Sequence, residues 1–169
     1  MYNVSMLAKD QVLALINDEN LLNLTFDSVS FGVPTAAPGE TPQRDTELVI
    51  EGIPGKGYKG TATLLYNRIP LQAFEDAVPS AIQVEGDITL QNILNGFNAF
   101  YGSNLQLDDI RSDLAMPAVL TSTPQQWTMI AAAGSYAYRG QVVLNIQAAD
   151  VDLAVAVTKP VLDGLTLTM

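Results

Sequence analysis

The sequence contains neither cysteine nor histidine. Without cysteine there is no disulfide, no thiolate zinc site and no cysteine nucleophile, and without histidine the commonest general base and metal ligand is missing. Most hydrolase arrangements are thereby excluded. We therefore expect a protein that is not an enzyme and that holds no metal ion.

Positive charge is scarce as well. Lys and Arg total 8 against 18 Asp and Glu, which gives a net charge of −10 at pH 7. An acidic surface repels a phosphate backbone, so nucleic-acid binding is not expected. We interpret the charge as a means of keeping the protein soluble and of controlling self-association, with an acidic surface for a basic partner as the alternative.

Long hydrophobic runs are also missing. The stretch 151–157 is among the longest, yet it is short and is interrupted by Asp152, whereas a bilayer span needs roughly 18 apolar residues. The first ten residues lack the basic start and apolar run of a secretory signal. We expect no membrane association and synthesis in the cytoplasm.

What the sequence does contain is an internal repeat. The stretch 57–67 returns as 137–147, and with a shift of 81 positions Asn17 falls on Asn98 and Leu24 falls on Leu105. Apolar, turn and proline positions agree along both halves, which is typical of a duplicated unit. We predict two tandem repeats, over residues 1–76 and 85–169.

Each repeat is predicted to contain one helix and one hairpin. The helices are expected over 6–17, with Ser5 as the N-cap, and from the N-cap Thr89 to the stop at Gly102. Alternating β-branched stretches predict the hairpins 46–53 with 61–66, and 126–133 with 141–147. The fold class is therefore α+β, with one helix packed on a mostly antiparallel sheet in each repeat.

The C-terminal stretch keeps a strand-like alternation to its last residue and is predicted to form an extended β tail. An uncovered strand edge attracts another strand. We therefore expect the tail either to add an edge to the second sheet or to pair with another subunit as an exchanged strand. Leu165 and Leu167 are its candidate interface residues.

Five further aromatic residues gather around the two hairpins: Tyr58, Tyr66, Trp127, Tyr136 and Tyr138. Rings on strands and tight turns most often pack against cross-strand neighbours. The alternative is a protein interface, where tyrosine and tryptophan act as anchors.

Paired carboxylates are the remaining catalytic candidates. The adjacent or near-adjacent pairs are Asp108 with Asp109, Glu75 with Asp76, and Asp150 with Asp152. Acids placed like this are usually solvated, and no glycosidase-like arrangement is evident. Asp27 and Asp108 occupy equivalent positions, and we expect each to cap a turn rather than to bind calcium.

The loop 53–60 combines glycines with lysines but opens a strand instead of a helix, so it does not fit a phosphate-binding loop. We therefore predict no cofactor.

The succession 24–32 followed by 57–68 resembles a family of uncharacterised virion structural proteins of large tailed bacteriophages. The second half keeps Tyr138, Arg139 and Gly140 but has lost the Tyr-Asn-Arg ending of the first. The resemblance implies a component of the virion that forms a homo-oligomer, contacts other virion proteins and has no catalytic residues. Capsid decoration, a neck or collar, and a tail or baseplate are the positions it leaves open.

A second class of function is a carbohydrate- or receptor-binding module. It predicts an exposed aromatic platform, whereas an assembly protein is expected to bury its rings in sheets or between subunits.

Overall fold

The computed structural model describes residues 3–39, 44–75 and 81–149. The elements in these ranges are α1 (Ala8–Asn20), β1 (Val29–Phe31), β2 (Thr35–Ala36), β3 (Thr46–Gly52), β4 (Thr61–Tyr66), β5 (Ile69–Pro70), β6 (Ile82–Val84), α2 (Leu90–Tyr101), β7 (Gln125–Ile130), β8 (Tyr138–Arg139) and β9 (Gln141–Ala148). Helices accompany mostly antiparallel strands, which confirms the α+β class. In the described ranges we find no helix with the length and apolarity of a membrane span.

Helix α2 begins and ends where the sequence predicts. The Thr89 hydroxyl accepts a hydrogen bond from the Asn92 backbone N–H at 3.1 Å, so the N-cap satisfies one of the free donors of the first turn. Gly102 follows the last turn with a φ of 61°, a left-handed conformation that glycine adopts without steric cost.

Helix α1 differs from its prediction at both ends. It begins at Ala8, and the residue before it, Leu7, makes no side-chain cap. The Ser5 hydroxyl does not bond to the helix but donates to the Asn3 side chain at 2.6 Å. The predicted Ser5 cap was therefore wrong. The helix continues to Asn20, and Leu21 then takes a left-handed φ of 54° at the position that Gly102 occupies after α2.

The first sheet is built on β3. Strands β1 and β2 pair antiparallel with β3, and β4 also pairs with it antiparallel in the register Thr46↔Tyr66 to Glu51↔Thr61. The predicted hairpin is thus confirmed. The buried face of this sheet packs on α1 to form the smaller core, which contains Val12, Ile16, Leu24, Val29, Leu48, Ile50 and Tyr66.

The second sheet is built on β9. Strand β7 pairs with β9 antiparallel, as predicted for the second hairpin. Strand β6 pairs with β9 in parallel, in the register Ile82↔Ile146 to Val84↔Ala148. This parallel pair was not predicted, because a strand of three residues leaves too short a pattern to recognise.

The chain between β4 and α2 belongs to the larger core. We call residues 69–84 the connector, of which 76–80 lie outside the described ranges. Strand β5 pairs in parallel with β8, and Leu71, Phe74 and Ile82 are buried with α2 and β9. The bounds of the two repeats, 1–76 and 85–169, stay a prediction, and β6 lies between the two ranges.

The two halves make the same hydrogen bonds after their helices. The Asn17 side chain donates to the Leu24 carbonyl at 3.0 Å and accepts from the Leu24 N–H at 2.7 Å. Asn98 makes the same two bonds with Leu105, both at 2.9 Å. In each half one amide side chain therefore fixes the return of the chain beneath its helix.

The hairpins are joined to this return in the same way. In the first half the Ile53 N–H donates to the Ser28 carbonyl at 2.9 Å, and in the second the Ala132 N–H donates to the Asp109 carbonyl at 2.8 Å. Each bond lies beside an antiparallel pairing, Val29 with Gly52 in β1 and β3, and Ile110 with Ala131 as a single bridge.

One contact in the second half requires glycine. Helix α2 crosses β6 so closely that a Cβ atom on Gly96 would lie 2.3 Å from the Gln83 carbonyl oxygen. No side chain fits there without moving the helix from the strand. Gly134, by contrast, has nothing closer than 3.9 Å to its Cβ position.

We predict that Gly96→Ala destabilises the protein by about 1–3 kcal/mol, the usual cost of overpacking a tight contact. The free energy of unfolding in urea measures this change. Gly134→Ala is the matched control and should stay within about 0.5 kcal/mol of the parent protein. Equal stability of the two variants would contradict the close helix–strand contact.

We further predict that Asn98→Ala costs about 1–3 kcal/mol, because it leaves the Leu105 N–H and carbonyl without their partner. The exposed Asn95 of the same helix is the control, since Asn95→Ala makes the same change in helix propensity without touching Leu105. Urea unfolding of both variants compares them directly. A cost for Asn98→Ala no larger than that for Asn95→Ala would contradict a stabilising role for the two bonds between Asn98 and Leu105.

Candidate interaction site

Two of the predicted aromatic residues are buried within the chain. Trp127 is 5% exposed and donates its indole N–H to the Ala115 carbonyl at 3.0 Å. Tyr138 is fully buried, and its hydroxyl accepts from the Gln11 side chain at 3.0 Å. Burial raises the pKa of Tyr138. Both rings therefore serve packing inside the protein, which was the first of the two interpretations.

Tyr66 joins the two halves. It is buried, and its hydroxyl donates to the Tyr136 carbonyl at 2.7 Å. Burial raises the pKa of Tyr66 well above its usual value. This ring also packs inside the chain, at the end of β4.

Tyr136 lies half-buried in a small aromatic group. Its hydroxyl donates to the Gly32 carbonyl at 3.0 Å, and its ring centre lies 6.0 Å from that of Phe31. The Lys9 ammonium group lies 5.5 Å from both ring centres and 5.1 Å from that of Phe26. A cation already covers this group, as in other cation–π contacts.

Tyr58 is the predicted aromatic residue that remains on the surface in the described ranges. It lies in the loop between β3 and β4 and is 38% exposed. The other two candidates, Leu165 and Leu167, fall outside the described residues, as does the whole C-terminal tail from residue 150.

A polar group that sequence reasoning missed holds the halves together. The Arg139 guanidinium lies 2.6 Å from the Asp45 carboxylate. Arg68 donates through one side-chain nitrogen to the carbonyls of Ala133 at 2.9 Å and Ser135 at 3.2 Å. Arg68 lies in the Tyr-Asn-Arg ending of the stretch 57–68, and this position is the signal that could have indicated its role.

The adjacent carboxylates Asp108 and Asp109 have different environments. Asp108 is exposed, whereas Asp109 is 5% exposed and accepts from the Ser135 hydroxyl at 2.7 Å and from the Gln106 N–H at 3.0 Å. The expectation that both are solvated was therefore wrong for Asp109. Both of its oxygens face hydrogen-bond donors of the protein, which is the arrangement of a structural cap.

The capping residues of the two halves lie one position later than predicted. Ser28, not Asp27, accepts from the Thr25 N–H at 2.9 Å, and Asp109, not Asp108, accepts from Gln106. The prediction placed the caps on the acids that match between halves. The structure places a hydroxyl in one half and a carboxylate in the other, so identity of residue type was a misleading guide.

The other predicted carboxylate pairs are only partly described. Glu75 accepts a long hydrogen bond from the Val143 N–H at 3.4 Å, and Asp76, Asp150 and Asp152 lie outside the described residues. In the described ranges no three acidic side chains come together in a way that could hold a metal ion.

A groove runs between α1 and β4. We call it the α1–β4 groove, and it is lined mainly by Val12, Leu15, Glu19, Leu64, Tyr66 and Asn67. Leu15 is 43% exposed there. Within the described residues β4 pairs only with β3, so the groove is bounded by a strand edge with backbone groups available for a further strand.

The fold and the site together define an α+β protein with two helix-and-hairpin layers, in which one edge of β4 is unpaired within the described residues. The whole chain, residues 1–169, matches a family of unknown function, DUF7941, and the protein belongs to that family. No curated protein and no solved structure matches it.

Burial raises the pKa of the Asp109 carboxyl above its usual value, while its bonds from Ser135 and Gln106 act in the opposite direction. A raised folded-state pKa means that the folded protein holds the proton more tightly than the unfolded chain. The stability this gives is present at low pH and is lost as the pH rises through the folded pKa.

We predict that Asp109→Asn becomes more stable relative to the parent protein as the pH rises from about 4 to about 7. The amide has one hydrogen-bond acceptor fewer than the carboxylate at every pH, which shifts the difference in unfolding free energy by a constant amount. The measurement is therefore the change of this difference with pH. Urea unfolding at several pH values provides it, with the exposed Asp27→Asn as the control for charge. A difference that does not change with pH would contradict the desolvated carboxyl.

Proposed function

We propose that this protein is a non-enzymatic structural component of a bacteriophage virion that assembles with itself and with other virion proteins. The observation that carries the assembly role is the unequal covering of two similar halves. The second half has its helix and strand edge covered by the connector, whereas no described strand covers the α1–β4 groove of the first half. The virion role is supported by the sequence resemblance of 24–32 and 57–68.

We propose further that the halves arose as tandem copies of one unit. The clamps of Asn17 and Asn98, the matched pairings of the hairpins and the left-handed residues after both helices support this. A duplicated chain presents two related surfaces and can therefore fill two positions in a symmetric assembly. The C-terminal β tail belongs to the second copy in this proposal.

A carbohydrate- or receptor-binding module is the second candidate. The exposed ring of Tyr58 on a glycine-containing loop favours it. The burial of Trp127, Tyr66 and Tyr138 counts against an aromatic platform built from the other hairpin rings.

Two measurements test the proposed function. Mass spectrometry of purified particles of the virus that encodes this chain should detect it at many copies per particle, and light scattering should show a defined oligomer of the pure protein. Absence from the particles would refute the virion role. A monomer at every concentration would refute self-assembly in isolation, and binding to a glycan array would then favour the second candidate.

A further inference from the structure

The connector covers the second half in two ways. Its strand β6 lies against the edge of β9 and crosses α2 at Gly96. Phe74 packs its ring 5.1 Å from the ring centres of both Phe97 and Tyr101. The groove between α2 and β9 is therefore filled by chain that follows directly after the hairpin of the first half.

Among the described residues, no strand pairs with β4 at the matching groove of the first half. Leu15 stands at the position of Gly96, 81 residues earlier, and is 43% exposed. Tyr66 and Asn67 stand at the positions of Ile146 and Gln147, where β6 pairs with β9. The α1–β4 groove is thus bounded by the counterparts of the two elements that hold β6.

The chain that follows the second hairpin resembles the chain from the end of the connector to the start of α2. Residues 84–86 read Val-Glu-Gly and residues 162–164 read Leu-Asp-Gly, and each is soon followed by Thr-Leu, at 89–90 and at 166–167. Gly86 has a φ of 71°, which explains a glycine at this turn. In the order of the sequence, the C-terminal segment therefore follows β9 as the connector follows β4.

The contacts between the halves indicate which groove this segment reaches. Tyr138 of the second half is fully buried and bonded to Gln11 of the first, whereas its counterpart Tyr58 is 38% exposed. A two-fold relation would bury both tyrosines alike. The contact is instead heterologous, which means that different surfaces of the two halves meet. When such a contact is repeated, it joins a further copy instead of returning to the same chain.

We propose that the C-terminal segment, residues 150–169, of one copy docks in the α1–β4 groove of a second copy by adding a strand beside β4, so that copies join head to tail. The mode is β-strand addition, in which backbone hydrogen bonds supply affinity and alternate side chains fill the groove. It rests on the self-assembly part of the proposed function and names the surfaces that carry it.

Cysteine trapping tests the contact directly, because the protein has no cysteine of its own. The alignment of 84–86 with 162–164 places Val161 at the position of Gln83, which lies against Gly96 and hence opposite Leu15 in the second copy. One chain carries Leu15→Cys and a longer tag, and the other carries Val161→Cys. Leu15 lies outside both described cores, and Val161 falls outside the described residues.

Mild oxidation of the two chains mixed together should give a disulfide-linked heterodimer, identified by its mass on a non-reducing gel. Leu107→Cys in place of Leu15→Cys is the matched control, because Leu107 is 45% exposed and lies outside the groove. A heterodimer no more abundant than with this control overturns the proposal. A chain carrying both Leu15→Cys and Val161→Cys that closes only on itself overturns it as well.

A second measurement uses the full chain without trapping. Leu15→Lys replaces an apolar side chain of the α1–β4 groove by a charged one, with Glu19 one turn later on the same helix. We expect it to raise the concentration for half-association roughly tenfold or more, as measured by light scattering, with Leu107→Lys unchanged. An unchanged oligomer in Leu15→Lys overturns the docking, and detection of the chain in particles would then still support the proposed function.

Discussion

Burial of the connector in the second half is the constraint on which the rest of the structure depends. Leu71 and Phe74 are buried in the larger core together with residues of α2 and β9. Once they are seated, β5 lies against β8 and the two halves meet in a fixed orientation. Apolar burial of this kind is the dominant favourable term in folding, and here it also sets the arrangement of the halves.

The polar contacts between the halves depend on that seating. Tyr66 reaches the Tyr136 carbonyl, and Arg68 reaches two carbonyls of the loop before β8, because β4 runs directly into the buried connector. Each bond satisfies a backbone carbonyl in a loop that forms no ladder of its own. These directional bonds fix the geometry of the contact between the halves, beside the apolar packing of the connector.

The two halves differ in how the described chain covers them. The connector covers the helix and the strand edge of the second half, whereas in the described ranges the first half keeps a groove beside the unpaired edge of β4. An unpaired strand edge exposes a free monomer to aggregation, and in an assembling protein it can bind a strand of another subunit. The acidic surface, at a net charge of −10, would limit association to contacts that bury enough apolar area to overcome repulsion.

The local pattern by itself determined helix α2 and the two hairpins. The Thr89 cap, the Gly102 stop and the two alternating hairpins follow from capping and periodicity, which act between near neighbours, and the structure has them where the sequence places them. The absence of cysteine and histidine likewise bounded the chemistry before any coordinates were known.

Tertiary structure alone decided the remainder. Nothing local distinguishes Asp109, which is buried under Ser135, from the exposed Asp108, and nothing local reveals that Gly96 is required by a passing carbonyl. The short strand β6 exists only because β9 offers it an edge. These features arise from contacts between residues far apart in sequence, which capping and periodicity between near neighbours do not encode.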